Sequence, residues 1–265
     1  MLIVGESING TIEKVGQAIA DRDANFVQRL AREQAERGAQ MLDVNAGLGG
    51  RDEVGDLVWL VKAVQEEVDV PLMLDSSDPR AIQAALALHR GRPLVNSITA
   101  ELKKKENLMP VLAGNDCGVV ALCLTEEGIP KTPTHRLEVA RGLVEELVQA
   151  GKPQEDIYLD PLVLTIATDW QAGAVALKTL QLFKQELPGV KTMAGVSNVG
   201  FGMPQRRLIN RTFLAMAMAL GLDGAILDAR DNSLMATLTA SQALVGRDKW
   251  CRGYLQAFRE GKLHG

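Results

Sequence analysis

Short polar clusters, each just after a brief apolar run, place carboxylates and carboxamides at intervals along this 265-residue chain. Glu6, Ser7 and Asn9 come first, then Asp43, Asn45 and Gly47, then Asp75, Ser76 and Ser77. Asn96 and Ser97 follow, then Thr125, Asp160, the pair Ser197 and Asn198, and last Asp228 and Asp231. An ionised carboxylate only accepts hydrogen bonds, whereas a carboxamide both donates and accepts. Basic groups are scarce in these clusters until Arg206 and Arg207. Acceptor-rich side chains in place of phosphate-cradling glycines or Arg/Lys clamps suit a neutral, flat ligand with many N–H donors. A pterin or similar heterocycle fits. A carboxylate accepts two parallel N–H bonds from an aminopyrimidinone edge, and a carboxamide serves a ring donor and a ring acceptor together. Singly, each residue has a plainer role, because Asp, Asn and Ser also cap helices and hold turns. Asp78 reads only as a cap, and Glu6 equally as a residue that orients loops.

The elements that must position these groups are eight apolar runs: 2–5, 41–44, 71–74, 93–95, 119–124, 157–159, 192–196 and 225–227. Each is short enough for a buried strand, and helical periodicity fills the intervals. Asp78-Pro79 is an N-cap followed by proline at the first helical position. Gly38 stops the stripe Val27, Leu30, Ala31 and Ala35, while Gly151 and Pro153 stop Leu137, Ala140, Val144 and Leu147. A fourth stripe, Ile209, Phe213, Met216 and Leu220, ends at Gly221. These stripes are read as core. Strand and helix alternating eight times without a linker predict an α/β fold, a single (β/α)8 TIM barrel over residues 1–265. A doubly wound sheet would want GxGxxG after its first strand, which Gly5-Glu-Ser-Ile-Asn-Gly10 lacks. In such barrels chemistry collects where strands end, which is where the polar clusters fall.

Composition narrows the function classes. With 29 Lys+Arg against 33 Asp+Glu, the net charge of −4 offers no footprint for nucleic acid or an anionic membrane. No apolar stretch approaches the roughly 18 residues of a spanning helix, and Met1 to Glu6 lacks the character of a signal peptide. A cytoplasmic protein is expected. Cys117, Cys123 and Cys251 form no CxxC pair, and His89, His135 and His264 have no ligand spacing, so no metal site is expected. Cys117 and Cys123 read as small buried hydrophobes.

Several segments together resemble a known family. They are Gly5-Glu-Ser-Ile-Asn9, Leu42-Asp-Val-Asn-Ala-Gly47, Leu74-Asp-Ser-Ser77, Asn96-Ser97, Asp160-Pro-Leu162, Gly195-Val-Ser-Asn198 and the stretch from Ile209-Asn-Arg-Thr-Phe to Met218. In order and over nearly the whole chain they resemble the methyltetrahydrofolate:corrinoid methyltransferases (of the corrinoid/iron-sulfur protein). These are similar to the folate-binding domain of cobalamin-dependent methionine synthase and lie within the pterin-binding, dihydropteroate-synthase-like superfamily. The resemblance implies a (β/α)8 homodimer that takes tetrahydrofolate or 5-methyltetrahydrofolate as substrate. It moves the N5-methyl group to or from the cobalt of a corrinoid (cobalamin) carried by a partner protein that binds transiently.

Carried over by position, Asp75, Asn96 and Asp160 would hold the pterin ring, Asn198 would lie near N5, and Arg206 would help bind folate. Ser197, Glu6 and Asp43 complete the expected binding set, with Asn198, Asp75 and Asp160 as the catalytic members. Ser7 stands where the family carries arginine, and Phe201 where it carries a polar amide. Methyl transfer from a tertiary amine would expel a poor nitrogen anion unless N5 is protonated or hydrogen-bonded as the bond breaks. With no His or Lys at the matched positions, Asn198 and ordered water in the field of Asp75 and Asp160 are the expected apparatus. The corrinoid must come from outside, because no histidine has the Asp two residues before it that a cobalamin-binding Asp-x-His-x-x-Gly pattern requires. Other readings of the same mouth are a pteroate-synthase-like enzyme, which would need a basic phosphate site on late loops, and a catalytically silent folate-binding barrel.

Overall fold

A computed structural model describes residues 1–47 and 52–263; His264 lies outside them. The eight predicted strands are present and close in sequence order into a parallel barrel. They are β1 (Leu2–Asn9), β2 (Met41–Asn45), β3 (Leu72–Asp75), β4 (Leu94–Thr99), β5 (Gly118–Leu122), β6 (Ile157–Asp160), β7 (Lys191–Gly195) and β8 (Gly224–Leu227). Around them run α1 (Glu13–Asp21), α2 (Ala24–Glu36), α3 (Glu53–Glu67), α4 (Pro79–Leu86), α5 (Leu102–Ala113), α6 (Pro133–Gln149), α7 (Ala172–Glu186), α8 (Arg206–Ala219), α9 (Asn232–Leu244) and α10 (Arg252–Arg259). No helix among the described residues is long and apolar enough to cross a membrane.

The strands alternate inward and outward, and the two faces bury different cores. The barrel interior is plugged by Val4, Met41, Met73, Leu94, Val120 and Met193. The outer face meets the helices through a larger layer that includes Leu42, Leu74, Ile98, Leu159 and Phe183. Two residues on from a plug residue the side chain returns to the same face, about 6.6 Å nearer the C-terminal mouth. That step leads from Val4 to Glu6, Met41 to Asp43, Met73 to Asp75 and Leu94 to Asn96. Tyr158, packed on the plug, leads in the same way to Asp160. The apolar plug therefore changes to a polar floor within one pleat. It is also why β1 and β4 run past the apolar runs that announced them: their last inward residues are polar.

Helix punctuation agrees with the residues. Asp78 caps α4, accepting from the Arg80 N–H at 2.9 Å, with Pro79 at the first helical position. The fourth stripe needs correction. α8 buries Asn210, Phe213, Leu214, Ala217 and Met218 and leaves Met216 50% exposed. Asn210 occupies an inward position because its Oδ1 accepts the Gly200 N–H at 3.1 Å, and a polar inward residue shifts the apparent apolar face. Cys117 and Cys123 are buried as expected.

Two glycines join the first two mouth loops. The Gly10 N–H donates to the Asn45 carbonyl at 2.8 Å, and a β-carbon on Gly10 would lie 2.4 Å from the Ala46 carbonyl oxygen. Gly47 sits beside Gly10 with φ +84°, a conformation that glycine adopts without steric cost. Gly10→Ala should accordingly lower stability by about 1–3 kcal/mol, because backbone rather than a flexible side chain must move. A fall in the urea unfolding midpoint would show it, and an unchanged midpoint would mean that the loops part freely.

Candidate active site

The inward residues of β2, β3 and β4 meet side by side because the strands pair with Asn45 opposite Asp75 and Asp75 opposite Asn96. The Asn45 carboxamide is fixed at both ends. Its Oδ1 accepts the Gly47 N–H at 2.6 Å, and its Nδ2 donates to Asp75 Oδ2 at 2.8 Å. Asp75 is thus presented with one oxygen engaged and the other toward the mouth. A cavity of about 200 Å³ opens here, lined by Asp75, Ser76, Asn96, Ser97 and Lys104 among others.

Burial dominates the electrostatics, because a carboxylate withdrawn from water holds its proton more tightly. It raises Asp75 to about 6, with the Asn45 hydrogen bond pulling downward and the nearby Glu53 charge pushing upward. Asp43, one step deeper, is held well above the ordinary carboxylate range by burial and by the charges of Asp75 and Glu6, with Asn96 opposing as a hydrogen-bond donor. Asp43 Oδ1 is buried without a hydrogen-bond partner among the described residues.

Across the mouth, Asp160 ends β6 and is pushed up to about 7 by burial, against the Leu162 N–H and the Arg136 charge. Its Oδ1 accepts that N–H at 2.7 Å, so one of its two oxygens is partly engaged before any ligand arrives. Glu6 is also raised by burial and accepts a hydrogen bond from Ser197 Oγ at 2.6 Å. That bond ties β1 to the loop after β7, so Glu6 does orient a loop. Asn198 follows on the same short turn, exposed at the mouth, with no side-chain hydrogen bond among the described residues. Arg206 donates to the Ser197 carbonyl at 3.0 Å and lies over the Phe201 ring, 5.7 Å from its centroid. Arg207 instead reaches Asp231 at 3.6 Å, and Asp231 caps α9.

The geometry thus brings together Asp43, Asp75 and Asn96 on one side, with Glu6, Ser197, Asn198 and Arg206 joined on another and Asp160 between the ends of β5 and β7. Ser7 is buried and its hydroxyl has no partner among the described residues, whereas Phe201 is 64% exposed on the rim. Two residues absent from the expected binding set matter here. Asn45 orients Asp75, and its place at the end of an apolar run was a usable signal. Arg136 touches the turn after Asp160, and nothing in the pattern around Pro133 marked it.

A closed parallel barrel with a mouth of carboxyl and carboxamide acceptors suits a pterin-binding enzyme, and residues 5–228 match the pterin binding enzyme family. Over 99% of its length the chain is 34% identical to a methylcorrinoid:tetrahydrofolate methyltransferase of Eubacterium limosum, covering 98% of that protein. It is also 30% identical to methionine synthase of Mycobacterium tuberculosis over 94% of this chain, though over only 22% of that longer protein. Two solved structures share the fold. One is a dihydropteroate synthase from Clostridium difficile in the presence of pteroic acid (TM-score 0.71, 17% identity, 92% of this chain and 96% of that one). The other is a dihydropteroate synthase from Xanthomonas albilineans in complex with 7,8-dihydropteroate (TM-score 0.65, 19% identity, 92% of each chain). The chain belongs to the pterin-binding enzymes, and within them to the methyltetrahydrofolate:corrinoid methyltransferase family.

The raised carboxyls have a consequence for stability. Between about pH 4 and 7 the folded chain keeps protons that unfolded carboxyls release, so stability falls as pH rises through that window. Asp160→Asn removes this cost, and the variant should exceed the wild type at pH 8 by roughly 2–4 kcal/mol, the gain shrinking toward zero near pH 4. Urea unfolding at both pH values tests the sign, and equal curves would remove Asp160 from the set of buried titrating groups.

Proposed function

We propose that the barrel mouth holds the pterin ring of tetrahydrofolate, and that the enzyme moves a methyl group, in either net direction, between N5 and the cobalt of a corrinoid carried by a second protein. The observation that carries this reading is the floor of acceptors, half-buried Asp75 and Asn96 and buried Asp160, in a chain alike from end to end to a methylcorrinoid:tetrahydrofolate methyltransferase. The free oxygens of Asp75 and Asp160 accept ring N–H groups, and the Asn96 carboxamide matches a donor and acceptor pair. Asn198 offers an unengaged carboxamide on the rim, where N5 of a pterin seated on this floor would lie.

The corrinoid supplies the metal that takes or gives the methyl group; the chain's own residues manage the nitrogen. N5 leaves well only if it is protonated or accepts a strong hydrogen bond as the bond breaks, so a donor aimed at it favours the transition state over the ground state. Asn198 is that donor. Asp75 and Asp160, raised to about 6 and 7, exchange protons near neutrality, and in ionised form they favour a cationic pterin. In the reverse direction the same contacts hold unmethylated N5 as nucleophile. The expected homodimer and the transient corrinoid-protein contact belong to this proposal. A pteroate-synthase activity is less well supported, since Arg207 is already engaged with Asp231 and the solved synthases share only the fold.

Asp160→Ala should weaken tetrahydrofolate binding by about 1–3 kcal/mol, because ring donors lose their acceptor. Titration calorimetry measures it, and an unchanged dissociation constant would assign Asp160 a purely structural role. Asn198→Ala should slow methyl transfer more than it weakens folate binding, since its bond to N5 strengthens as charge develops. Single-turnover transfer with free reduced cobalamin separates the two effects, and equal losses would make Asn198 a positioning residue. The purified protein should be colourless and turn over only when corrinoid is added. Transfer to a thiol without corrinoid would overturn the reaction proposed.

A further inference from the structure

Arg136, in the first turn of α6, is only 3% exposed yet makes no ion pair with a carboxylate among the described residues. All three of its hydrogen bonds go to backbone carbonyls: Nε to Pro130 at 2.9 Å, and Nη1 to Pro161 at 2.6 Å and Leu162 at 2.9 Å. A buried charge is costly unless something compensates it. Neutral donors would serve these carbonyls as well, so the positive charge itself needs a reason.

The reason lies one residue away. Leu162 has φ +58°, a left-handed conformation that a leucine holds only when its surroundings impose it. Both of its backbone polar groups are engaged, the carbonyl by Arg136 and the N–H by Asp160 Oδ1 at 2.7 Å. The guanidinium thus grips the two-residue turn that aims the Asp160 carboxylate into the mouth. We propose that Arg136 is a positioning residue for Asp160, clamping the 161–162 turn and using its buried charge to favour the acceptor form of that carboxylate for the pterin edge. This rests on the function proposed above.

The groups around Asp160 leave that charge little else to act on. Just past the end of β5, Cys123 is a buried thiol pushed up to about 12 by burial and by the Asp160 charge, hence neutral in the working range. Leu122, the last residue of β5, pairs opposite Asp160. On the other side β7 pairs with β6 through Lys191 and Thr192, so the next residues at the level of Asp160 are uncharged Met193 and Ala194. Glu6, Asp43 and Asp75 stand on β1, β2 and β3 and act on one another. Burial lifts Asp160 to about 7 while Arg136 works in the opposite direction. The same pairing holds up the proton affinity of Arg136 against its own burial.

Carbon-13 carboxyl NMR of the unliganded chain, with the Asp160 signal assigned by its loss in Asp160→Asn, reads the charge effect directly. Tetrahydrofolate calorimetry across the same pH range reads the aim. Arg136→Met should move the Asp160 midpoint upward by about one pH unit and weaken folate binding about tenfold near neutrality, the loss shrinking in alkaline solution to the part left by the missing clamp. Arg136→Lys keeps the charge but gathers its donors on one nitrogen and cannot hold Pro130 and the 161–162 turn from two separate nitrogens as Nε and Nη1 do, so its midpoint should stay near the wild type while affinity falls at every pH. If Arg136→Met does not fold, Arg136→Gln takes its place with the same two readings. An unmoved Asp160 midpoint in the neutral variant overturns the electrostatic half, and wild-type affinity in the lysine variant overturns the clamp. Failure of the wild type itself to bind tetrahydrofolate at any pH would instead sink the proposed function, and the NMR titration would still decide what Arg136 does to Asp160.

Discussion

Withdrawing carboxylates from water above an apolar plug is the constraint on which the rest of the structure depends. Asp43, Asp75 and Asp160 sit where desolvation disfavours their charge, and each answers it differently. Asp75 has the Asn45 carboxamide, itself locked by Gly47. Asp160 has a backbone N–H on a turn gripped by Arg136. Asp43 has an oxygen with no partner among the described residues, the costliest arrangement of the three. A core selected for stability alone would place apolar or neutral groups here, since replacing buried ionic groups with packed hydrophobes is often neutral or favourable. Keeping the carboxyls makes sense where a ligand brings the missing donors and so offsets the cost of their burial.

The fold was legible because the signals that build a barrel are local. Apolar runs of strand length, a proline after an N-cap at Asp78 and glycines past helix ends are each read within a few residues, and parallel pairing in chain order follows from the alternation. Much of the mouth was legible for the same reason: the last inward residue of a strand is adjacent to its apolar run, so Asp75, Asn96 and Asp160 announced themselves. What stayed hidden is non-local. Arg136 is 24 residues from Asp160 in sequence and makes its contacts through backbone carbonyls, which leave no side-chain pattern. The inward turn of Asn210 on α8 was hidden likewise, because a polar residue serving a loop N–H ten positions away reads as solvent-facing until the loop is seen.

The mouth also divides into a floor and a rim with different physics. On the floor the carboxyls are largely withdrawn from water, hydrogen-bonded and raised in proton affinity, with half-buried Asn96 among them. On the rim, Asn198 is exposed and unengaged, Phe201 is open to solvent, and Arg206 bridges the Ser197 carbonyl and the Phe201 ring. The two levels are linked by the Ser197 to Glu6 hydrogen bond, which fixes the turn carrying Asn198 to the first strand.

That division matches what methyl transfer would ask of the site. The ring must be held in one orientation throughout, which calls for buried, preorganised acceptors that cost no rearrangement when the reaction occurs. In the proposed reaction the group at N5 would meet a second macromolecule that arrives and departs, so its donor would have to stay accessible and change partners. A buried Asn198 with fixed bonds would have spent its donor on the protein itself. An exposed one, next to Ser197 and its bond to Glu6, keeps its donor free for the N5 that the proposal places beside it. The rim ring of Phe201 and the Arg206 guanidinium over it lie next to that residue, so in the proposed reaction a corrinoid would meet an exposed aromatic ring edged by a cation, with the carboxyls kept to the floor beneath.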